Sequence, residues 1–139
     1  MNMRSRATAV IINNNQVLLM KRNNHGKKYY AFIGGGIDGP ETPAQAVVRE
    51  VYEETSLKVI IVKQLYEIHN VNNENHVVFL CEYLGGVPVV QKGTSEYADN
   101  IIGQNTYIPT WVPVNEIAHL TIYPEIIKQK LLKDFLDIA

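Results

Sequence analysis

Residues 35–57 read GGIDGPETPAQAVVREVYEETSL, a glycine-rich loop running straight into an acidic helix. Thr42-Pro43-Ala44-Gln45 has the form of a capping box: Thr42 as N-cap, Pro43 at the first helical position and Gln45 reaching back from the third. Ala44, Val47, Val48 and Val51 then recur at i, i+3, i+4 and i+7, an apolar stripe for a core. At about 100° per residue, Glu50, Glu53 and Glu54 centre roughly a third of a turn from that stripe. They can face a cleft while the valines hold the helix down. Like charges at i, i+3 and i, i+4 cost roughly 0.2–0.5 kcal/mol per pair on an exposed helix, a penalty that a bound cation would reverse. Arg49, four residues before Glu53, can orient a carboxylate by ion pairing.

Carboxylate oxygens are hard ligands, and several of them without a nearby Cys or His suit Mg²⁺ or Mn²⁺ better than zinc or copper. Mg²⁺ keeps waters and shares its shell with substrate phosphates, so the implied chemistry is metal-assisted attack of water on phosphorus. Taken alone, the three glutamates are equally well read as a solvated acidic face.

The full spacing is more specific. Gly35, five residues, Glu41, seven residues and then Arg49-Glu50-Val51-Tyr52-Glu53-Glu54-Thr55-Ser56-Leu57 resembles the Nudix box, G-x5-E-x7-R-E-U-x-E-E-x-G-U with U aliphatic. Ser56 alone departs from it, standing where the family has glycine. In this position glycine ends the helix in a left-handed conformation, which costs a serine on the order of 1 kcal/mol. Proline commonly precedes the family's Gly-Gly pair, whereas this chain reads Phe32-Ile33-Gly34-Gly35-Gly36, implying a less rigid loop.

The resemblance implies an α/β fold, the Nudix-type α/β/α sandwich with a mixed β-sheet, as one domain over residues 1–139. It implies a pyrophosphohydrolase that cleaves nucleoside diphosphates linked to another moiety, with Mg²⁺ or Mn²⁺ as cofactor. Carried over by position, Glu53 and Glu54 are metal ligands, Glu50 is a ligand or the general base, and the backbone around Gly34 supplies a further oxygen. Glu41 and Arg49 orient these groups, and Gly35 and Gly36 border the substrate. Some relatives take one more carboxylate from a later loop, for which Glu96 is the candidate. The competing reading is a Nudix-like nucleotide-binding or regulatory domain without catalysis, which the retention of every glutamate disfavours.

Composition agrees with a small globular enzyme. The 139 residues are 46% hydrophobic, and 13 basic against 14 acidic side chains leave a net charge of −1. No global basic field attracts nucleic acid polymers or anionic membranes, which also disfavours a reading as an enzyme of RNA ends, so the expected partner is a small phosphorylated molecule, a nucleotide derivative. A homodimer is an open alternative to a monomer. Cys81, the single cysteine, lies in an apolar run and cannot form an internal disulfide. With no signal-peptide core and no membrane-length apolar stretch, this predicts a cytoplasmic protein.

Outside the motif, residues 7–12 and 16–21 read as strands joined by an Asn13-Asn14-Asn15 turn. Residues 29–33 form a short strand into the glycine loop. Residues 57–69 and 76–84 pair across a polar turn, and residues 107–114 return to strand around Trp111. The stretch from Gly85 to Asn105 reads as an irregular loop. From Pro124 a helix carries Ile127, Leu131, Phe135 and Ile138 toward the sheet, opposite the acidic helix, with Lys128, Lys130 and Lys133 as its solvated side.

Arg22, with Lys21, Lys27 and Lys28, is a candidate for gripping phosphate, Arg22 by its bidentate fork. Tyr29, Tyr30 and Trp111 are candidates for base stacking but more simply core. His25, His69, His76 and His119 show no metal-ligand spacing.

Overall fold

The computed structural model describes residues 4–135. Its centre is β1 (Arg4–Asn13), whose alternating side chains serve two cores. Ala7, Ala9 and Ile11 pack with Leu18, Met20 and Ile33 against Val47 and Val51 of α1 (Pro43–Thr55). Val10 joins Val17, Leu19 and Val78 in a second cluster beneath Ile127 and Leu131 of α3 (Glu125–Asp134). Each fully buried aliphatic side chain of this kind contributes roughly 1.5–3 kcal/mol of transfer free energy. The mixed sheet therefore has a helix on each face, as the sequence implied.

The sheet has two halves. In one, β5 (Val59–Val71), β6 (Glu74–Tyr83), β1 and β4 (Ile33–Gly36) lie side by side. Here β6 runs parallel and β4 antiparallel to β1. In the other half, β2 (Gln16–Asn24) is flanked by β7 (Asn105–Pro113) and β3 (Lys27–Ala31), and β3 is paired in parallel with β8 (Ile122–Tyr123). Among the described residues, the halves share only the Ile12–Val17 and Asn13–Gln16 pairs of the β1–β2 hairpin. Its turn puts Asn14 and Asn15 at φ 50° and 60°, the left-handed pair that a tight hairpin requires. Beyond the hairpin the halves part, and the cleft between them is where the acidic helix delivers its carboxylates.

Several expectations are revised. Val48 is 37% exposed, while Ala46 and Thr55 take the remaining buried places on α1, Thr55 satisfying its hydroxyl on the Val51 carbonyl at 2.6 Å. The glycine segment is a strand rather than a loose loop, laddered from Arg6–Gly36 to Ala9–Ile33. Part of the stretch read as irregular is α2 (Ser95–Ile102), capped by Thr94 and lying along β7. It has no buried residue: its apolar side, Tyr97, Ala98, Ile101 and Ile102, does not pack into either core, and Ile101 and Ile102 are largely exposed. Lys128 is buried rather than solvated, its Nζ donating to the Leu120 carbonyl at 2.8 Å. Phe135 is 43% exposed and stacks edge-on against Tyr66, and Ile138 lies outside the described residues. Cys81, from its apolar run, is buried.

At the end of α1, Ser56 adopts φ 65°, the left-handed cap that the family's glycine would form. Its hydroxyl donates to the Val89 carbonyl at 2.6 Å. Alongside, the Val89 and Gln91 amides donate to the Thr55 and Glu53 carbonyls, satisfying helix-end acceptors that would otherwise be orphaned. Serine thus offsets its conformational cost with a tether. Ser56→Gly relieves strain but loses that bond, so its unfolding free energy from urea titration should lie within about 0.5 kcal/mol of the parent. Ser56→Ala keeps the strain and loses the bond, and should destabilise by roughly 1 kcal/mol. A glycine variant stabilised by a full kcal/mol would show that the tether contributes nothing.

Candidate active site

The capping box forms as the sequence indicates: the Gln45 amide donates to Thr42 Oγ1 at 3.1 Å, and the Thr42 amide to Gln45 Oε1 at 3.0 Å. This fixes where α1 begins and so the heading of its acidic edge. On that edge Arg49 grips Glu41 through two bonds, Nε to Oε2 at 2.7 Å and Nη2 to Oε1 at 3.0 Å. Its Nη1 donates to Glu50 at 2.9 Å and Glu53 at 3.2 Å, and its Nη2 to the Gly36 carbonyl at 3.0 Å. Arg49 therefore joins helix, glycine strand and preceding loop. The Glu41 carboxyl is held below the ordinary carboxylate range, chiefly by Arg49 and then by the Asp38 amide. The guanidinium in turn is held more firmly protonated by Glu41.

The glycines permit close approach. A Cβ on Gly34 would lie 2.2 Å from the Ala7 carbonyl oxygen, and one on Gly35 would lie 2.4 Å from the Glu50 carboxyl carbon. Any side chain at either position would collide with β1 or push Glu50 away. With those surfaces bare, the Gly34 amide donates to Glu54 Oε2 at 3.0 Å.

Glu50 and Glu54 open into a cavity of about 350 Å³ between the half-sheets. Glu96 joins them from α2, so this acid stands on a helix rather than a loop. Gly34, Gly35 and Gly36 form the floor, and Arg22 reaches the wall. The candidates are thus largely brought together, but Glu53 is not among the lining residues: it is 44% exposed at the rim, held by Arg49. Among the described residues, no three acidic or imidazole groups are already drawn into a ready-made metal cage.

Burial is the main reason that the Glu54 carboxyl is pushed up to about 8, with the Glu50 charge adding to it and the Gly34 amide opposing it. The Glu50 carboxyl is also raised, first by burial, against the pull of Arg49. Glu96 lifts both slightly. Enclosed carboxylates that repel one another, beside a backbone carbonyl and with no sulfur ligand, match the oxygen-rich shell preferred by Mg²⁺ or Mn²⁺.

Sequence reading missed Arg4 and Arg6, which form the opposing wall with Phe32, Met20 and Tyr107. Their spacing of two at the start of a strand is the only signal, and it does not reveal what that strand pairs with. Arg22 is more constrained than expected: Nε donates to the Thr106 carbonyl at 3.2 Å, Nη2 to Asn105 Oδ1, and the guanidinium stacks 3.7 Å from the Tyr107 ring centre. Lys21 and Lys28 line a neighbouring depression with Tyr29, Tyr30 and His119, while Lys27 sits over the Tyr29 and Tyr123 rings. Trp111 packs edge-on against Tyr83 at the core margin, as its simpler reading had it. His76 is buried near Thr8, away from any metal-ligand grouping.

The NUDIX domain family model matches residues 3–135. The chain belongs to the Nudix family. Among solved structures it is similar to a NUDIX-family hydrolase from Clostridium perfringens, at 18% identity over 96% of each chain with a TM-score of 0.70. It is likewise similar to the MutT NUDIX hydrolase from Burkholderia pseudomallei, at 20% identity over 91% of this chain and 95% of that one, TM-score 0.65. A third is an ADP-ribose pyrophosphatase from Streptococcus suis, at 19% identity over 88% of this chain and 81% of that one, TM-score 0.64. No curated protein matches the chain. Among the described residues of this Nudix protein, no helix is long and apolar enough to cross a membrane.

The electrostatics of Glu54 give a pH prediction. Its folded-state value, about 8, lies above the ordinary 4.5, so the folded protein retains this proton longer than the unfolded chain. In chelator, stability should therefore fall as pH rises from about 4.5 to about 8, by at most about 1.4 kcal/mol per pH unit and less where solvent reaches the carboxyl. Glu54→Gln should flatten that slope in melting temperature against pH. An unchanged slope in the variant would mean that Glu54 is not the group responsible.

Proposed function

We propose that this Nudix hydrolase cleaves a phosphoanhydride bond in a small phosphorylated molecule, a nucleoside diphosphate linked to another moiety, by attack of water on phosphorus. The supporting observation is the shared cavity in which Glu50, Glu54 and Glu96 face arginines across a glycine floor. In this reading Glu50, Glu54, Glu96 and the Gly34 carbonyl hold Mg²⁺ or Mn²⁺, with Glu53 joining from the rim. The bound ion would polarise phosphate oxygens and acidify a water.

The chain's own groups do the rest. Arg49 fixes the rotamers of Glu50 and Glu53, so that neither swings away under mutual repulsion. Glu50, half-buried and with its carboxyl raised, is a suitable acceptor for the proton of the attacking water. Arg4, Arg6 and Arg22 offset phosphate charge on the far wall, with Arg22 aimed by Asn105 and Thr106. Tyr107, stacked on Arg22, offers an aromatic face to the substrate. The same reading makes the partner a small nucleotide derivative and the location cytoplasmic, and leaves a homodimer compatible.

A panel of nucleotide and non-nucleotide diphosphates, assayed with Mg²⁺ or Mn²⁺ and analysed for products, tests this directly. Turnover should disappear in EDTA, and full activity there would sink the metal mechanism. Glu54→Gln and Glu53→Gln should each lower kcat by about 10²-fold or more. The Glu53 variant should melt within a few degrees of the parent, because losing one partner of Arg49 is offset by relief of repulsion along α1. Near-parental turnover in the Glu53 variant would remove that residue from the machinery.

A further inference from the structure

Of the three arginines on the cavity wall, one is firmly held and one, largely exposed, pairs loosely with an acid. Arg22 is bonded to Asn105 and Thr106 and stacked on Tyr107, and Arg4 extends toward Glu74 at 3.8 Å. Arg6 differs. It is half-buried, its Nη2 donates to the Gly34 carbonyl oxygen at a long 3.4 Å, and among the described residues no carboxylate lies within 4.0 Å of it. Yet its charge reaches Glu54, whose ionised form it favours. A guanidinium binds anions, and phosphate in particular, much more strongly than a neutral carbonyl at this distance. Arg6 is therefore a cation weakly held at the Gly34–Glu54 end of the cavity.

That carbonyl and that carboxylate are both ligands assigned above to the divalent ion, and the inference rests on that assignment. Two cations served by one carbonyl oxygen in a partly enclosed site repel each other. We propose that Arg6 is a mobile counter-charge: it competes with the divalent ion at Gly34 and Glu54, and a substrate phosphate that draws it off the carbonyl thereby strengthens ion binding. By linkage the ion then strengthens substrate binding through the same residue.

The test is Mn²⁺ binding by the full chain, measured by the free-ion electron paramagnetic resonance signal, with and without methylenediphosphonate. Without the diphosphonate, Arg6→Gln should bind Mn²⁺ about 5–30-fold tighter than the parent, the size of an ordinary coupling between sites. Arg6→Lys, which keeps the charge, should stay within about threefold. Methylenediphosphonate should tighten Mn²⁺ less in Arg6→Gln than in the parent. Unchanged or weaker Mn²⁺ binding by a folded Arg6→Gln chain, beside a parent that binds Mn²⁺, would overturn the counter-charge role alone. A parent that binds no Mn²⁺ would overturn the metal assignment beneath it. If Arg6→Gln does not fold, the parent still decides: the Arg6 Nε–H resonance should shift on Mg²⁺ titration, and an unmoved resonance counts against the proposal.

Discussion

The site depends on the Arg49 guanidinium. Its planar fork joins Glu41, Glu50, Glu53 and the Gly36 carbonyl, groups contributed by a loop, a helix and a strand. An isolated surface ion pair contributes little, but a donor array shared among several acceptors fixes geometry that pairwise contacts cannot. Without Arg49 the acidic edge of α1 would splay outward under its own repulsion. With it, Glu50 is pressed over Gly35 so closely that a Cβ there would displace its carboxylate.

From this constraint follows the use of three glycines in succession. Glycine is often chosen for backbone conformations closed to other residues, but none of Gly34, Gly35 and Gly36 has positive φ. They lie in an ordinary antiparallel ladder on β1. What they supply is the absence of a side chain, which lets β1, the Glu50 carboxylate and the Arg4 guanidinium each come within van der Waals range of the backbone. The expectation of a looser loop, drawn from the missing proline, fails because strand pairing provides the stiffness that proline would have provided.

What could be read in the sequence was local or periodic. Thr42 and Gln45 signal their helix start over four residues, Val47 and Val51 signal a buried stripe, and Asn14-Asn15 signals a hairpin, because each depends on neighbours close in the chain. Arg4 and Arg6 could not be read in this way. Their place in the cavity is set by the pairing of β1 with β4, some thirty residues away, and by the parting of the half-sheets beyond Asn13. Burial of Lys128 likewise draws on the Leu120 carbonyl, outside its helix, with Glu125 a further 3.9 Å partner. The helix bearing Glu96 escaped notice because it is only eight residues long and sits among glycines and polar residues, so its cap and its short apolar side, Tyr97, Ala98, Ile101 and Ile102, read as loop.

Glu53 and Glu54 show how adjacent identical residues acquire different characters. One helical step of about 100° turns Glu54 inward, to the Gly34 amide and a site where its charge is disfavoured, and leaves Glu53 outward, half in solvent and neutralised by Arg49. The inward residue stores unfavourable electrostatic energy through its burial. That energy is tolerable because α1 is anchored independently of its acidic edge, by the capping box at one end, by Val47 and Val51 in the core, and by the 89–91 segment bonded to its last carbonyls. A helix held this firmly on its apolar side can keep a repulsive face directed into a cleft, and a face of that kind gains most from a bound cation.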